Sequence, residues 1–242
     1  MKYLTAIIFS IAIVLAAFFL GNSYVKRANP QGVIQVTGSG NEDFISDLIV
    51  WEGSFTRTSP NLEQAYREVN ADKETVKDYL MEKGIPEENI VFNSVQTTEL
   101  HESQYQNGNY TGTIFKGFQL TQSVKIESNN VELIENMSRE ITELLNKGVQ
   151  FTSAPPRYYY TKLADLKIEM ISKATEDARL RAENIATNSG GDLGKLKNAS
   201  LGVFQITGQN SGEDYSWGGA YNTADKKKTA SITVRLEYEV ED

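Results

Sequence analysis

The sequence predicts an α+β domain behind an N-terminal hydrophobic helix, and three observations carry that expectation. Leu4 to Leu20 is apolar but for Thr5 and Ser10, and no acidic or basic side chain lies between Lys2 and Lys26. Downstream, apolar patterns of period two and of period three to four succeed each other as strand, helix, strand, and then do so again. The last stretch alternates apolar Ile232, Val234, Leu236, Tyr238 and Val240 with Thr233, Arg235, Glu237 and Glu239, the signature of a half-buried strand. The expected architecture is two strand-helix-strand units with a mixed, largely antiparallel sheet and three main helices packed on it.

At about 1.5 Å per residue, the apolar segment with its uncharged flanks is long enough to cross a hydrocarbon core of roughly 30 Å. Its length, and the poor cleavage candidate Gly21-Asn22-Ser23, favour an uncleaved signal anchor over a removed secretory signal. Residues 1–27 are therefore expected as an anchor and 28–242 as the exported part, with 33–127 and 128–242 as possible halves.

After a short linker, Ala28 to Gly32, the run Val33 to Thr37 reads as a strand ending in a turn at Gly38-Ser39-Gly40. Ile45 to Thr56 carries apolar residues on both faces, as expected of a central strand covered on both sides. Ser59-Pro60 should open the first domain helix, with Ser59 as N-cap. Its stripe is Leu62, Ala65, Tyr66, Val69, Val76, Tyr79 and Leu80, and Lys83-Gly84 closes it. Ile90 to Leu100 is the next strand, Glu102 to Gly112 a polar loop, and Phe118, Leu120, Val124 and Ile126 alternate in a further strand.

Val131, Ile134, Met137, Ile141, Leu144 and Leu145 mark a second helix ended by Gly148, and Val149 to Phe151 its return strand. The third helix, from about Lys162 to Thr187, presents Leu163, Leu166, Met170, Ala174, Ala178, Ala182 and Ala186 on one face, and so should approach a sheet closely. A strand near Leu196 to Ile206, a flexible loop from Thr207 to Asp225 and the final strand complete the order.

Composition narrows the partners. Lys2, Lys26 and Arg27 precede every acid, so residues 28–242 hold 21 basic and 32 acidic side chains, a formal charge of -11. That sign disfavours nucleic acid and contact with anionic lipid along the domain's surface. With no cysteine there is no disulfide, thiol nucleophile or thiolate metal site. Gly38-Ser39-Gly40 mimics the start of a dinucleotide loop, but Asp43 stands at the third glycine position and a β-rich stretch follows. His101, the one histidine, shares a strand face with Glu99, which is too few ligands for a good metal site. No catalytic set, cofactor or metal is expected. The binding candidates are aromatic: Tyr105 and Tyr110 in one polar segment, Tyr158 to Tyr160 after Pro155-Pro156, and Tyr215, Trp217 and Tyr221 in another loop, where rings can anchor a protein interface or stack on a sugar.

Several short motifs in order give a resemblance. Val36-Thr37-Gly38-Ser39-Gly40, Asn70, Lys83-Gly84-Ile85 with Asn89-Ile90, Lys116-Gly117-Phe118, Val124-Lys125-Ile126, and the run Ala174 to Ala186 leading to Leu193-Gly194 resemble the SIMPL-domain family of bacterial envelope proteins, over about residues 33 to 240. The sequence departs from the pattern at Asp43 to Asp47, which lacks a Pro-Asp, and at Gly190-Gly191-Asp192, an enlarged turn. The resemblance implies an exported α+β fold, ring-like or channel-like homo-oligomers in some members, and no catalytic residues to carry over. The expectation is a non-enzymatic protein, anchored in the cytoplasmic membrane through residues 4–20 with its domain in the periplasm, or secreted there if the signal is removed. It would work by self-assembly or protein contact, and on the resemblance alone in stress tolerance. The alternative is a binding module whose aromatic loops hold a glycan or peptide.

Overall fold

The computed structural model describes residues 2–28 and 32–241, with side chains from Ser10 onward apart from Asn22 and residues 25–31. The elements in order are α1 (Lys2–Ala28), β1 (Val33–Ile45), β2 (Leu48–Ser59), α2 (Leu62–Glu82), β3 (Ile90–Phe92), β4 (Gln96–Gln106) and β5 (Asn109–Ser128). There follow α3 (Val131–Glu140), β6 (Phe151–Ser153), β7 (Arg157–Tyr159), α4 (Leu163–Asn188), β8 (Asp192–Leu201), β9 (Gln205–Gly208) and β10 (Lys227–Glu241). The α+β class is as the sequence predicts.

In α1, Ile11, Val14, Phe18 and Leu20 are exposed apolar side chains. Among the described residues no helix is long and apolar enough to cross a membrane. The segment expected to do so, residues 4–20, begins on side chains outside the described set, and most of the linker at 28–32 lies outside it too.

Two compact units interleave along the chain. One comprises residues 1–41, 168–203 and 231–242, the other 42–167 and 204–230. The division does not follow the halves 33–127 and 128–242, because the first and last strands of the domain pair with each other. Gly32 to Val240, Gln35 to Glu237 and Asp43 to Thr229 are joined by hydrogen bonds, so the partner number falls as the first rises and β1 runs antiparallel to β10.

In the first unit β10 is the central strand of the order β1-β10-β8. Its side chains Ile232, Val234, Leu236 and Tyr238 are buried, as the alternation requires. The expected turn at Gly38-Ser39-Gly40 is instead continuous strand. These glycines take the inward positions after Ile34 and Val36, and α4 presses on them. A Cβ at Gly38 would collide with the Ala174 carbonyl oxygen and lie 2.7 Å from the Ala178 Cβ; one at Gly40 would lie 2.6 Å from the Met170 carbonyl oxygen. Missing side chains on both surfaces thus let strand and helix touch backbone to backbone. Ala174, Ala178 and Ala182 are fully buried there.

The second unit holds an antiparallel sheet in the order β3-β5-β2-β6, with β4 on β5 and β7 on β2. One face carries the core, in which Trp51, Phe55, Leu120, Val124 and Ile126 meet Val69, Val76 and Leu80 of α2 and Ile134 and Met137 of α3. β2 is central, as predicted, but it alternates rather than being covered on both sides: Ile49, Trp51 and Phe55 are buried, whereas Leu48 and Val50 are partly open. Asn61, not Ser59, caps α2, its side chain accepting from the Gln64 N–H at 3.0 Å while Ser59 remains in β2. The helix closes as expected: Gly84 adopts φ 89°, and Ile85 N donates to the Leu80 carbonyl at 3.1 Å.

Other boundaries shift. The strand expected over Ile90 to Leu100 is split between β3 and β4, and the one over Leu196 to Ile206 between β8 and β9. The second helix changes to 3-10 geometry at Ile141–Lys147, and the return strand begins at Phe151. The polar loop predicted at Glu102 to Gly112 is a hairpin: β4 and β5 run through it and turn at Asn107 (φ 52°) and Gly108 (φ 82°). Two left-handed residues in an Asn-Gly pair make the tight turn whose twist suits antiparallel strands.

Candidate functional site

The second face of β2 builds a concavity. Because inward and outward side chains alternate, placing Ile49 and Trp51 in the core turns Leu48, Val50 and Glu52 to the other side. There they meet Lys125 and Glu127 of β5, which sit opposite Glu52 and Val50. On the other flank β6 and β7 both pair with β2, interrupted by Ala154-Pro155-Pro156. The Ala154 N–H still donates to the Glu52 carbonyl at 3.0 Å, but the prolines have no N–H to continue the ladder. Arg157 and Tyr159 of β7, with Thr223 and Ala224, complete a cavity of about 760 Å³.

Its lining combines apolar residues, Leu48, Val50, Pro155 and Pro156 among them, with charges that balance, Glu52 and Glu127 against Lys125 and Arg157. Lys125 and Glu127 are 4.0 Å apart. Such a surface suits a ligand with an apolar body and ends of both charges. Among its lining residues there is no histidine, serine or cysteine.

A half-buried ionic group lies next to it along the chain. The Tyr158 hydroxyl donates to Glu135 Oε1 at 3.0 Å, and Lys226 Nζ donates to Glu135 Oε2 at 3.1 Å. Burial opposes ionisation of Glu135, but the hydrogen bonds from Lys226 and Tyr158 outweigh it and hold the carboxyl below its usual range. Burial, then the bond to Glu135, pushes the Tyr158 phenol up to about 12. Lys228 is only 1% exposed. Its Nζ donates to the Tyr158 carbonyl at 2.5 Å and lies 5.9 Å from the Tyr221 ring centre. Desolvation lowers its pKa to about 8, against a smaller opposing pull from Asp225. A lysine tuned so far can be chemically reactive in principle, yet this one is sealed from solvent and bound to a main-chain carbonyl, so its visible role is to tie β10 to β7.

The other predicted aromatic residues stand elsewhere. Tyr105 and Tyr110 face each other across the β4–β5 hairpin, ring centres 5.9 Å apart, and both are exposed. Tyr215, Trp217 and Tyr221 are exposed in the segment between β9 and β10, with Trp217 fully so. That segment is tied down by polar side chains. Gln205 accepts from Ser216 N and Ala220 N and donates to the Ser216 carbonyl, while Glu213 accepts from Gly208 N at 2.9 Å and Asn222 Nδ2 at 2.6 Å. None of these five lines the cavity; its aromatic is Tyr159, from the Tyr158 to Tyr160 run after Pro155-Pro156, which pairing of β7 with β2 brings there.

His101 lies 3.9 Å from Glu99 and packs edge-on against Phe115. Among the described residues no group of three histidine, cysteine, aspartate or glutamate side chains could hold a metal ion.

The sequence model of the SIMPL family, described as a protein of unknown function (DUF541), matches residues 34–240. No curated protein matches the chain.

Proposed function

Because the chain belongs to the SIMPL family, we propose that it is an envelope protein, held at the cytoplasmic membrane by its N-terminal helix, that works by self-assembly and protein contact rather than by catalysis. The observation that carries this reading is the placement of the aromatic residues. Tyr105, Tyr110, Tyr215 and Trp217 are displayed on a hairpin and a loop instead of being gathered round a cavity, as suits a contact surface. Exposed Ile11, Val14, Phe18 and Leu20 on α1 support attachment to lipid, since such side chains gain about 25 cal/mol per Å² on leaving water. A role in stress tolerance belongs to the same proposal and rests on the family resemblance.

Two measurements test it. Fractionation of cells expressing the full chain should recover it with the cytoplasmic membrane, its domain cut by protease only in spheroplasts. A soluble chain starting near Ser23 would sink the anchor. Light scattering of the full chain in mild detergent should give the mass of an oligomer; a monomer at tens of micromolar would refute assembly.

A second reading, a binding module, is favoured by the cavity on β2. Native mass spectrometry with chito-oligosaccharides and with zwitterionic tripeptides should then detect a complex lost in Arg157→Ala and Glu52→Ala. Absence of any complex with the unaltered chain would remove that reading.

A further inference from the structure

We infer that the β4–β5 hairpin is the arm through which two copies of this chain join, edge to edge along β4. The inference rests on the self-assembly reading and assigns it a surface. From Gln96 to Gln106 β4 pairs only with β5 among the described residues, and β5 has no second neighbour before Phe118. The distal hairpin is therefore a two-stranded ribbon. Almost every residue from Gln96 to Lys116 is exposed on either face, Tyr105, Tyr110, Ile114 and Phe115 included. A lone ribbon of this kind is marginally stable in water, and its unpaired N–H and C=O groups are a template for another strand.

Charge selects a second copy as the occupant. Two domains that each carry a formal charge of -11 repel wherever their acidic surfaces face each other. From Ser103 to Phe115 the arm has no acidic or basic side chain, so copies can meet there without opposing like charges. Another sheet edge, β8, carries Asp192, Lys195 and Lys197, the kind of charged edge that discourages pairing.

Geometry selects β4 over β5. Both register shifts in the hairpin place the extra residue on β5, at Thr111 and Lys116, each followed by a glycine at φ 139°. Bulges of this kind bend and twist the strand that bears them, leaving β4 as the regular edge. Antiparallel pairing of two β4 edges centred on Gln104 would put Glu102 of one copy opposite Gln106 of the other, keeping the two Glu102 carboxylates apart.

The chain has no cysteine, so an engineered one reports a single position. Gln104→Cys in the full chain, oxidised mildly in detergent, should form a disulfide-linked dimer, whereas Asn198→Cys on β8 should not. Adding Tyr105→Lys and Tyr110→Lys to Gln104→Cys should cut the linked fraction at least roughly tenfold, and light scattering of the cysteine-free double lysine variant should show the oligomer dissociated, because the new charges crowd one another across the seam. An oligomer that links in the Asn198→Cys variant instead, or keeps its mass in the double lysine variant, overturns the arm while leaving assembly intact. A monomeric unaltered chain overturns both.

Discussion

Gly38 and Ala178 illustrate how much can hang on an absent side chain. The Ser39 N–H between the two strand glycines donates to Asp177 Oδ2 at 2.8 Å, and that bond, with a second from Arg181, holds the Asp177 carboxyl below its ordinary range. Close approach and edge bond come together, since the helix carboxylate reaches the strand only because nothing projects between them. Gly38→Ala should therefore destabilise the domain by about 1–3 kcal/mol, as should Ala178→Leu, while Glu176→Ala on the exposed face of α4 should stay within about 0.5 kcal/mol. Urea denaturation of the three variants decides it. Equal midpoints would mean that helix and strand are not in contact.

Lys228 supplies a pH dependence at the same scale. With its pKa lowered from 10.5 to about 8 in the folded chain, the native state has lost this proton between pH 8 and 10 while the unfolded state still holds it. The unfolded state thus binds more protons, and stability rises with pH through that window, by about 2 kcal/mol from this group. Tyr158, raised to about 12, acts in the opposite sense above pH 10, where the unfolded chain loses its phenolic proton first. Comparing Lys228→Met with the unaltered chain isolates the lysine, because Tyr158 is common to both. The lost bond to the Tyr158 carbonyl costs the variant ~1 kcal/mol at every pH. The unaltered chain should gain about 2 kcal/mol on the variant between pH 8 and 10 in thermal or urea unfolding. A difference that does not change with pH would mean that Lys228 is not desolvated.

Among elements, the Arg57–Asp72 pair fixes β2 to α2. Arg57 donates from Nε and a terminal nitrogen to the two Asp72 oxygens at 2.6 and 2.7 Å, and to the Gly148 carbonyl at 2.7 Å. Asp72 is buried, but the Arg57 side chain is 31% exposed, so the loss on breaking the pair is discounted from the fully buried case. Asp72→Ala should cost about 2–3 kcal/mol, and a double-mutant cycle with Arg57→Ala should recover a coupling of at least about 1 kcal/mol. Additive effects would show that the two residues act separately. Legibility at this scale followed apolar periodicity. β10, β5, α2 and α4 were readable because each buries one face against a neighbour, so burial writes a period of two or three to four into the sequence. The β4–β5 hairpin buries neither face in its outer part and writes no such period. Its one local signal was Asn107-Gly108, a turn pair set among polar residues that read as loop. β1 was cut short at Gly38 because a glycine needed for close approach looks the same as one needed for a turn. Of the cavity on β2 only the Pro155-Pro156 and Tyr158 to Tyr160 stretch stood out in the sequence; Glu52, Lys125 and Arg157 are far apart along the chain and meet only through strand register.

At the scale of the whole molecule, chain order imposes a sequence of folding events. The core of the second unit draws only on residues 49–158, with short connections between its strands and helices. The first unit needs both ends of the domain, since β10 is the middle strand of its sheet and β1 has no other strand partner among the described residues. Pairing β1 with β10 closes a loop of nearly the whole domain, a contact that carries a large entropic cost and forms late. A chain ending at residue 226 should accordingly keep amide-exchange protection in β2, α2, β5 and α3, while β1, β8 and the part of α4 that lies on β1 exchange freely. A peptide of residues 227–242 added in trans should restore protection to β1 and β8 together, because it supplies the strand between them. Protection of β1 in the truncated chain would show that its sheet does not depend on β10. Loss of protection throughout would show instead that the 49–158 core cannot hold without β10, whose Lys228 is bonded to Tyr158 at the edge of that core.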